Sequence, residues 1–339
     1  MACGRREEKF IMKKRVIGLS LVLVLVLGMT GCGSKSENKE KETLRLGVTT
    51  GLNDHYIALI GEKEGFFEEN GIDIELVEFA TGIETIDATT SGQVDIGKAA
   101  DFAIVNRIGN TEENFQGKLI GKFESSQNYA LYVNPKQVST LEDLKGKAVV
   151  TNPGTILDYL YALTYQKLGI TENDVNVLNV SSGQEAIGVL SQNEAVAYWA
   201  NGNAAQKIQE IGFEKLIGME ELNASVDDYY VASDNYIASN KTTTENFLKA
   251  VKETEDWIEE NQSEAVKIIA DKLGVEETLI QANLSSATLG LDFSKDTENH
   301  LEEIQEFNAE KGFYEKSYNI QKFINTEPLK NALPDAEIF

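Results

Sequence analysis

From residue 44 to residue 133 the chain alternates short strand-forming runs with amphipathic runs, and beyond residue 134 the alternation begins again. Leu44 to Val48 reads as a strand. Tyr56 to Glu69 carries Ile57, Ile60, Phe66 and Phe67 at helical spacing, with Gly71 as a natural stop. Ile72 to Phe79 alternates apolar and polar side chains, as a second strand does. A helix over Gly82 to Thr90, a strand over Val94 to Gly97, a helix over Phe102 to Ile108 and strands near Leu119–Phe123 and Tyr129–Val133 extend the pattern. Strands that alternate with helices fold into a mainly parallel or mixed sheet flanked by helices, so the expected fold class is α/β.

The second round opens with "LKGKAVVTNPGTILDYLYALTYQKLGI", which predicts a strand at Ala148–Thr151 and a long helix closed by Gly169. "VNVLNV" and "AVAYWA" read as further strands, and "GQEAIGVLSQN" and "NAAQKIQEIG" as helices. From Asp227 the strand-like "DYYVASDNYI" leads back, and a helix-rich tail without sheet patterning follows. That tail packs most simply on the first sheet. Two lobes are expected: a discontinuous one over 44–133 plus 229–339, and a continuous one over 134–228, with crossings near Asn134 and Asp228.

The first residues carry a different signal. Lys13, Lys14 and Arg15 precede an apolar run from Val16 to Leu27, too short for a comfortable membrane span, and small residues lead on to Cys32. Residues 1–31 read as a signal peptide, with Met12 as an alternative start. Leu27 to Cys32 resembles a bacterial lipobox, whose cysteine takes a diacylglycerol; an uncleaved N-terminal anchor is the plainer alternative. Lipidation at Cys32 would make 32–43 an anchor and flexible tether, holding the body on the extracellular or periplasmic side of the cell membrane. Cys3 is the only other cysteine, so neither a disulfide framework nor thiol catalysis is expected. Without residues 1–31 the net charge moves from −24 to −28 over 308 residues, which disfavours nucleic acid as a partner.

Catalytic and metal patterns are scarce. His55 and His300 are the only histidines and lie far apart in sequence, which argues against a histidine-rich metal site. The chain has no G-x-S-x-G elbow, no Walker lysine and no dinucleotide fingerprint. What recurs is a small or polar turn after a strand and ahead of a helix, in "TTGLNDH", "ATG", "KAAD", "TNPGT" and "WANGN". Ligands of open α/β sheets sit beyond the carboxyl ends of strands, where glycine permits close approach and free helix amides donate hydrogen bonds. Each turn alone is an ordinary connection. Five on two facing units predict a cleft.

Several pieces, in their order and spacing, resemble the solute-binding proteins of ABC importers for nitrate, sulfonate, taurine and thiamine precursors. They include Gly65, Phe66 and Gly71 in "EKEGFFEENGIDIELVEF", "SGQVDIG", "STLEDLKGKAVV", Gly154 with Thr155, and "ENFLKAVKETEDWIEENQSEAVKII". The resemblance implies a two-lobed, type II periplasmic-binding-protein-like fold with a helical C-terminal tail. It also implies a monomer that delivers a small molecule to permease subunits, with no catalysis, cofactor or metal. Residue by residue, it implies ligand contacts from Gly51, Asn53, Asp54, Thr81, Gly82, Ala100, Asp101, Gly154, Thr155 and Trp199. Glu194 stands where relatives carry aspartate, and Ala200 and Asn201 replace an acidic residue and a proline, departures that bear on the ligand more than on the fold.

The resemblance and the glycine-rich helix starts favour a small organic oxyanion, an aliphatic sulfonate or taurine-like molecule held near Gly154 and the Thr155 hydroxyl. The acidic charge and the lack of an evident cleft arginine stand against that first choice and make a thiamine or pyrimidine precursor or other heteroaromatic the runner-up, favoured if Asp101, Tyr229 and Tyr230 face inward. Structural roles stand beside the binding ones: Trp199 as core, Asp101 as a helix cap, the tyrosines as hinge packing. A tethered enzyme would need a convergent nucleophile and base, which the sequence does not offer. An adhesin would need an exposed protein-binding face.

Overall fold

The computed structural model describes residues 41–111, 114–336 and 338, so Cys32 and the signal-peptide reading lie outside the described residues. β1 (Glu42–Thr49), α1 (Tyr56–Glu64), α2 (Phe66–Glu69), β2 (Ile72–Phe79), α3 (Gly82–Thr90), β3 (Ile96–Ala100), α4 (Asp101–Thr111) and β4 (Gly117–Ser126) follow in that order. Next come β5 (Ala130–Val133), β6 (Ala148–Thr151), α5 (Ile156–Leu168), β7 (Asn176–Asn179), α6 (Gly183–Ser191), β8 (Ala197–Ala200), α7 (Gly202–Glu210) and β9 (Glu214–Gly218). The chain returns through β10 (Val226–Ser233) to α8 (Asp234–Ser239), α9 (Lys241–Glu260), α10 (Gln262–Leu273), α11 (Glu277–Ser285), β11 (Ala287–Asp292), α12 (Lys295–Glu310) and α13 (Glu327–Ala332).

Two mixed sheets result, one of six strands in the order β11-β4-β10-β3-β1-β2 and one of five in the order β7-β6-β8-β5-β9. The helix-linked pairs β1–β2, β1–β3, β6–β7 and β6–β8 are parallel, while β10 and β5 run antiparallel to both their neighbours. Each sheet has its own apolar core, the first built with the tail helices α9, α10 and α12. Helix ends follow local chemistry. Gly65, at φ 89°, closes α1 in the left-handed region that glycine enters freely. The hydroxyls of Thr81 and Thr155 accept amide hydrogen bonds at the starts of α3 and α5.

Four readings of the sequence need correction. Ala130–Val133 pairs with β8 and β9 and so belongs to the second sheet, while Val226–Ser233 lies wholly in the first. The crossings therefore fall at 127–129 and 219–225, ahead of Asn134 and Asp228. A four-residue apolar strand suits either sheet, and its own residues do not say which neighbour it will pair with. The tail also contributes β11 to the edge of the first sheet, and Asp234–Ser239 is helical where "DNYI" reads as strand. Glu42 and Thr43 already pair with β2, so the tether expected to run to 43 ends sooner.

Candidate functional site

β10 is flanked on both sides in its sheet, yet its second and third residues are carboxylates, Asp227 and Asp228, exposed by only 6% and 7%. Burying ionisable groups is costly unless partners or a ligand compensate. A register shift falls between Asp228 and Tyr229, a bulge of the kind that re-aims side chains. Asp228 faces a cavity of about 270 Å³. Its walls come from the carboxyl ends of β1 and β3, the turn at Gly51–Asp54 and Gly82 on one side, and from Asn128, Tyr129 and Asn201 on the other.

Five of the expected contacts, Gly51, Asn53, Asp54, Gly82 and Ala100, meet at this cavity. Asp54 organises the turn: one carboxylate oxygen accepts from the Thr49 amide at 2.8 Å and from the Thr49 hydroxyl, and the other lies 2.9 Å from Lys98 Nζ. Lys98 is nearly buried and sits 4.6 Å above the Phe123 ring centroid. Burial opposes its charge, but Asp54, Asp228 and Glu124 outweigh burial and hold its pKa above the ordinary lysine value. Asn53 Nδ2 donates to Glu124 at 3.2 Å. Burial pushes the Glu124 carboxyl up, with Lys98 opposing, and pushes Asp228 well above the usual carboxylate range. Tyr129, raised to about 12 chiefly by burial, remains a neutral phenol. No lysine, arginine or histidine lines the cavity among the described residues, whereas Asp54 and Asp228 do.

The other expected contacts have structural work. Asp101 is fully buried and does not line the cavity; it accepts from the Phe102 amide, the Asp227 amide and His300 Nε2, the last two at 2.8 Å. Its carboxylate thus ties the start of α4 to β10 and to a histidine from the distant tail. Trp199 is 0% exposed in the core of the second sheet and does not line the cavity, because alternation along β8 turns it away. Tyr229 and Tyr230 are buried too, Tyr230 stacked on Phe123 at 4.2 Å. Thr81 is a cap beside Gly82 and does not line the cavity.

Neither Gly154 nor Thr155 lines this cavity; Gly154 meets the opposite lobe, with Asn106 Nδ2 3.4 Å from its carbonyl. The Thr155 hydroxyl donates to the Asn152 carbonyl at 2.7 Å and caps α5, so it is already engaged. Nearby, Tyr159 packs edge-on against Phe307 at 5.1 Å, and Lys311 pairs with Glu172 at 3.0 Å. Arg107 pairs with Asp87 at 2.6 Å, the surface-carboxylate role open to it from sequence. Sequence reasoning did not single out Asp228, Glu124, Asn128 or Tyr129. Adjacent acidic residues in the return strand "VDDYYVAS" were the available signal.

Two α/β lobes facing each other across a polar cavity at their strand ends define the two-lobed, periplasmic-binding-protein-like fold. The NMT1/THI5 like family matches residues 53–265, more than half of the chain, and the chain belongs to that family. A Brucella abortus (strain 2308) protein, named for an assumed binding role without a ligand, is 23% identical over 246 residues, 66% of this chain and 70% of its own. A Haemophilus influenzae protein, named for an assumed role in thiamine biosynthesis, is 22% identical over 219 residues, 62% and 67% of the two chains. Among solved structures, the periplasmic aliphatic sulphonate binding protein SsuA from Escherichia coli superposes with a TM-score of 0.72. At 17% identity it covers 84% of this chain and 92% of its own, a likeness of fold. Among the described residues no group of three or more His, Cys, Asp or Glu is placed to hold a metal ion.

Proposed function

We propose that this protein is the solute-binding component of an ABC importer and that its ligand is a small polar molecule bearing an amine or protonated heteroaromatic nitrogen. The observation that carries the ligand class is the Asp228 carboxyl, which lines the cavity beside Asp54 with no basic side chain in the wall among the described residues. A protonated nitrogen there makes a charge-assisted hydrogen bond and offsets the cost of burying the carboxylate. Lys98 is no rival anion receptor, being sequestered by Asp54 beneath the turn. An aminopyrimidine, whose ring nitrogen and exocyclic amine donate side by side, suits a carboxylate well, and the H. influenzae relative's name points the same way. The fold likeness to a sulphonate-binding protein supports the second reading, a small oxyanion, which would have to rely on amide and hydroxyl donors such as Asn201 and Tyr129.

In this reading the segments 127–129 and 219–225 act as hinges, the lobes close on the ligand, and a lipid on Cys32 keeps the protein near its permease. The protein acts as a monomer and performs no chemistry on its cargo. Thermal-shift screening of the full chain against 4-amino-5-hydroxymethyl-2-methylpyrimidine, taurine and ethanesulfonate tests the ligand class, because a ligand of the native state raises apparent stability. Stabilisation by the pyrimidine alone is expected. Stabilisation by the sulfonates alone would reverse the choice.

A further inference from the structure

We propose that the ligand has a second, uncharged hydrogen-bonding part that passes Asn128 into an outer groove, where Asn203, Gln206 and Gln209 select for it. This rests on the amine reading of the inner cavity and adds a specificity surface to it. The groove, of about 600 Å³, lies between α7 and α11 with the segment that leads into it from α10. Asn128 lines both the inner cavity and this groove. Asn201 of the inner wall is followed directly by Gly202 and Asn203 of the outer one. Asn201 Nδ2 donates to Asn128 Oδ1 at 3.3 Å, so a single amide pair stands at the junction.

The chemistry changes at that junction. Inside are the carboxyls of Asp54 and Asp228. Outside, in a chain of net charge −24, Glu276 is the only acidic or basic residue among the fourteen described residues that line the groove, and five are carboxamides. Asn203, Gln206 and Gln209 recur every third residue and share one face of α7, while Ala205 and Ile208 fill its buried side. A carboxamide both donates and accepts, which suits an amide or hydroxyl and gives little advantage to an ion. Asn201 precedes α7 at the capping position but makes no side-chain cap, its amide being turned to Asn128 instead. The inner cavity is sized for one substituted ring; with the groove, the space reaches that of ordinary small-molecule sites.

Calorimetry on the full chain tests this with three probes: 4-amino-5-hydroxymethyl-2-methylpyrimidine, and the same ring carrying an N-acetylglycylamide arm at position 2 or at position 5. One armed probe should bind about tenfold more tightly than the bare ring, from two or more added hydrogen bonds. The exposed pair Gln206→Ala with Gln209→Ala should take back about fivefold of that gain and leave the bare ring unaffected. Binding of the bare ring with no gain from either arm overturns the outer-groove inference and leaves the amine reading standing. Failure of all three probes to bind overturns the amine reading and this inference with it.

Discussion

His300 Nε2 stands 2.8 Å from Asp101 Oδ2, joining α12 to the start of α4 across 199 residues of sequence. The same oxygen accepts the Asp227 amide, so the contact fixes β10 next to the carboxylate of the candidate site. Burial disfavours the imidazolium, but the bond to Asp101 and the charges of Asp101, Asp227 and Glu303 outweigh it and raise the His300 pKa from 6.5 to about 9. A raised pKa stabilises the fold fully below the unfolded value. That contribution, roughly 3 kcal/mol at most, is lost as pH rises from 6.5 through about 9. Urea denaturation across that range should show the decline in wild type and a flatter profile in His300→Gln. Equal profiles would contradict a stabilising Asp101–His300 pair.

Lys98 should matter to stability more than to affinity. Replacing it by methionine leaves Asp54, its partner at 2.9 Å, without a buried cation, and breaking such a pair costs about 3–5 kcal/mol. Asp54→Asn added to Lys98→Met should recover part of the loss, since an unpaired carboxylate is then gone. Chemical denaturation of the two variants decides it. A double variant less stable than the single one would contradict the arrangement.

Gly97 marks the close packing of α3 on β3. A Cβ there would stand 2.1 Å from Thr89 Oγ1 and 3.1 Å from the Thr85 carbonyl. Gly97→Ala should therefore destabilise by about 1–3 kcal/mol through overpacking. Adding Thr89→Ala should relieve the side-chain clash and restore part of the stability in the same melt.

The α/β alternation was legible because period-2 and period-3.6 patterns are local, and five of the expected contacts meet at one cavity because strand-end turns are local too. Sheet membership was not. Ala130–Val133 takes its place from pairing with β8, and β11 is a six-residue strand between helices whose role is set by the β4 edge. Asp228 escaped notice because carboxylates abound in this chain, and only its place on the cavity wall sets it apart from Asp227 beside it. Asp101 and His300 illustrate the same limit: each reads as ordinary alone, and their pairing exists only in the fold.

Calorimetry of 4-amino-5-hydroxymethyl-2-methylpyrimidine binding, in buffers of different ionisation enthalpy and with wild type beside Asp228→Asn, bears most directly on the carboxylate-lined cleft. Burial holds the empty-site Asp228 carboxyl above its usual range, so a cationic ligand should ionise it and displace a proton. Wild type should then show buffer-dependent heat and an affinity that rises with pH, by up to about tenfold per unit, where both the ring nitrogen of the free ligand and the carboxyl of the free protein are protonated; above the ring nitrogen's own pKa the proton passes from carboxyl to ring and both signatures fade. Asp228→Asn should lose both signatures and most of the affinity. Undiminished binding by Asp228→Asn, with the same buffer dependence as wild type, would contradict the central claim.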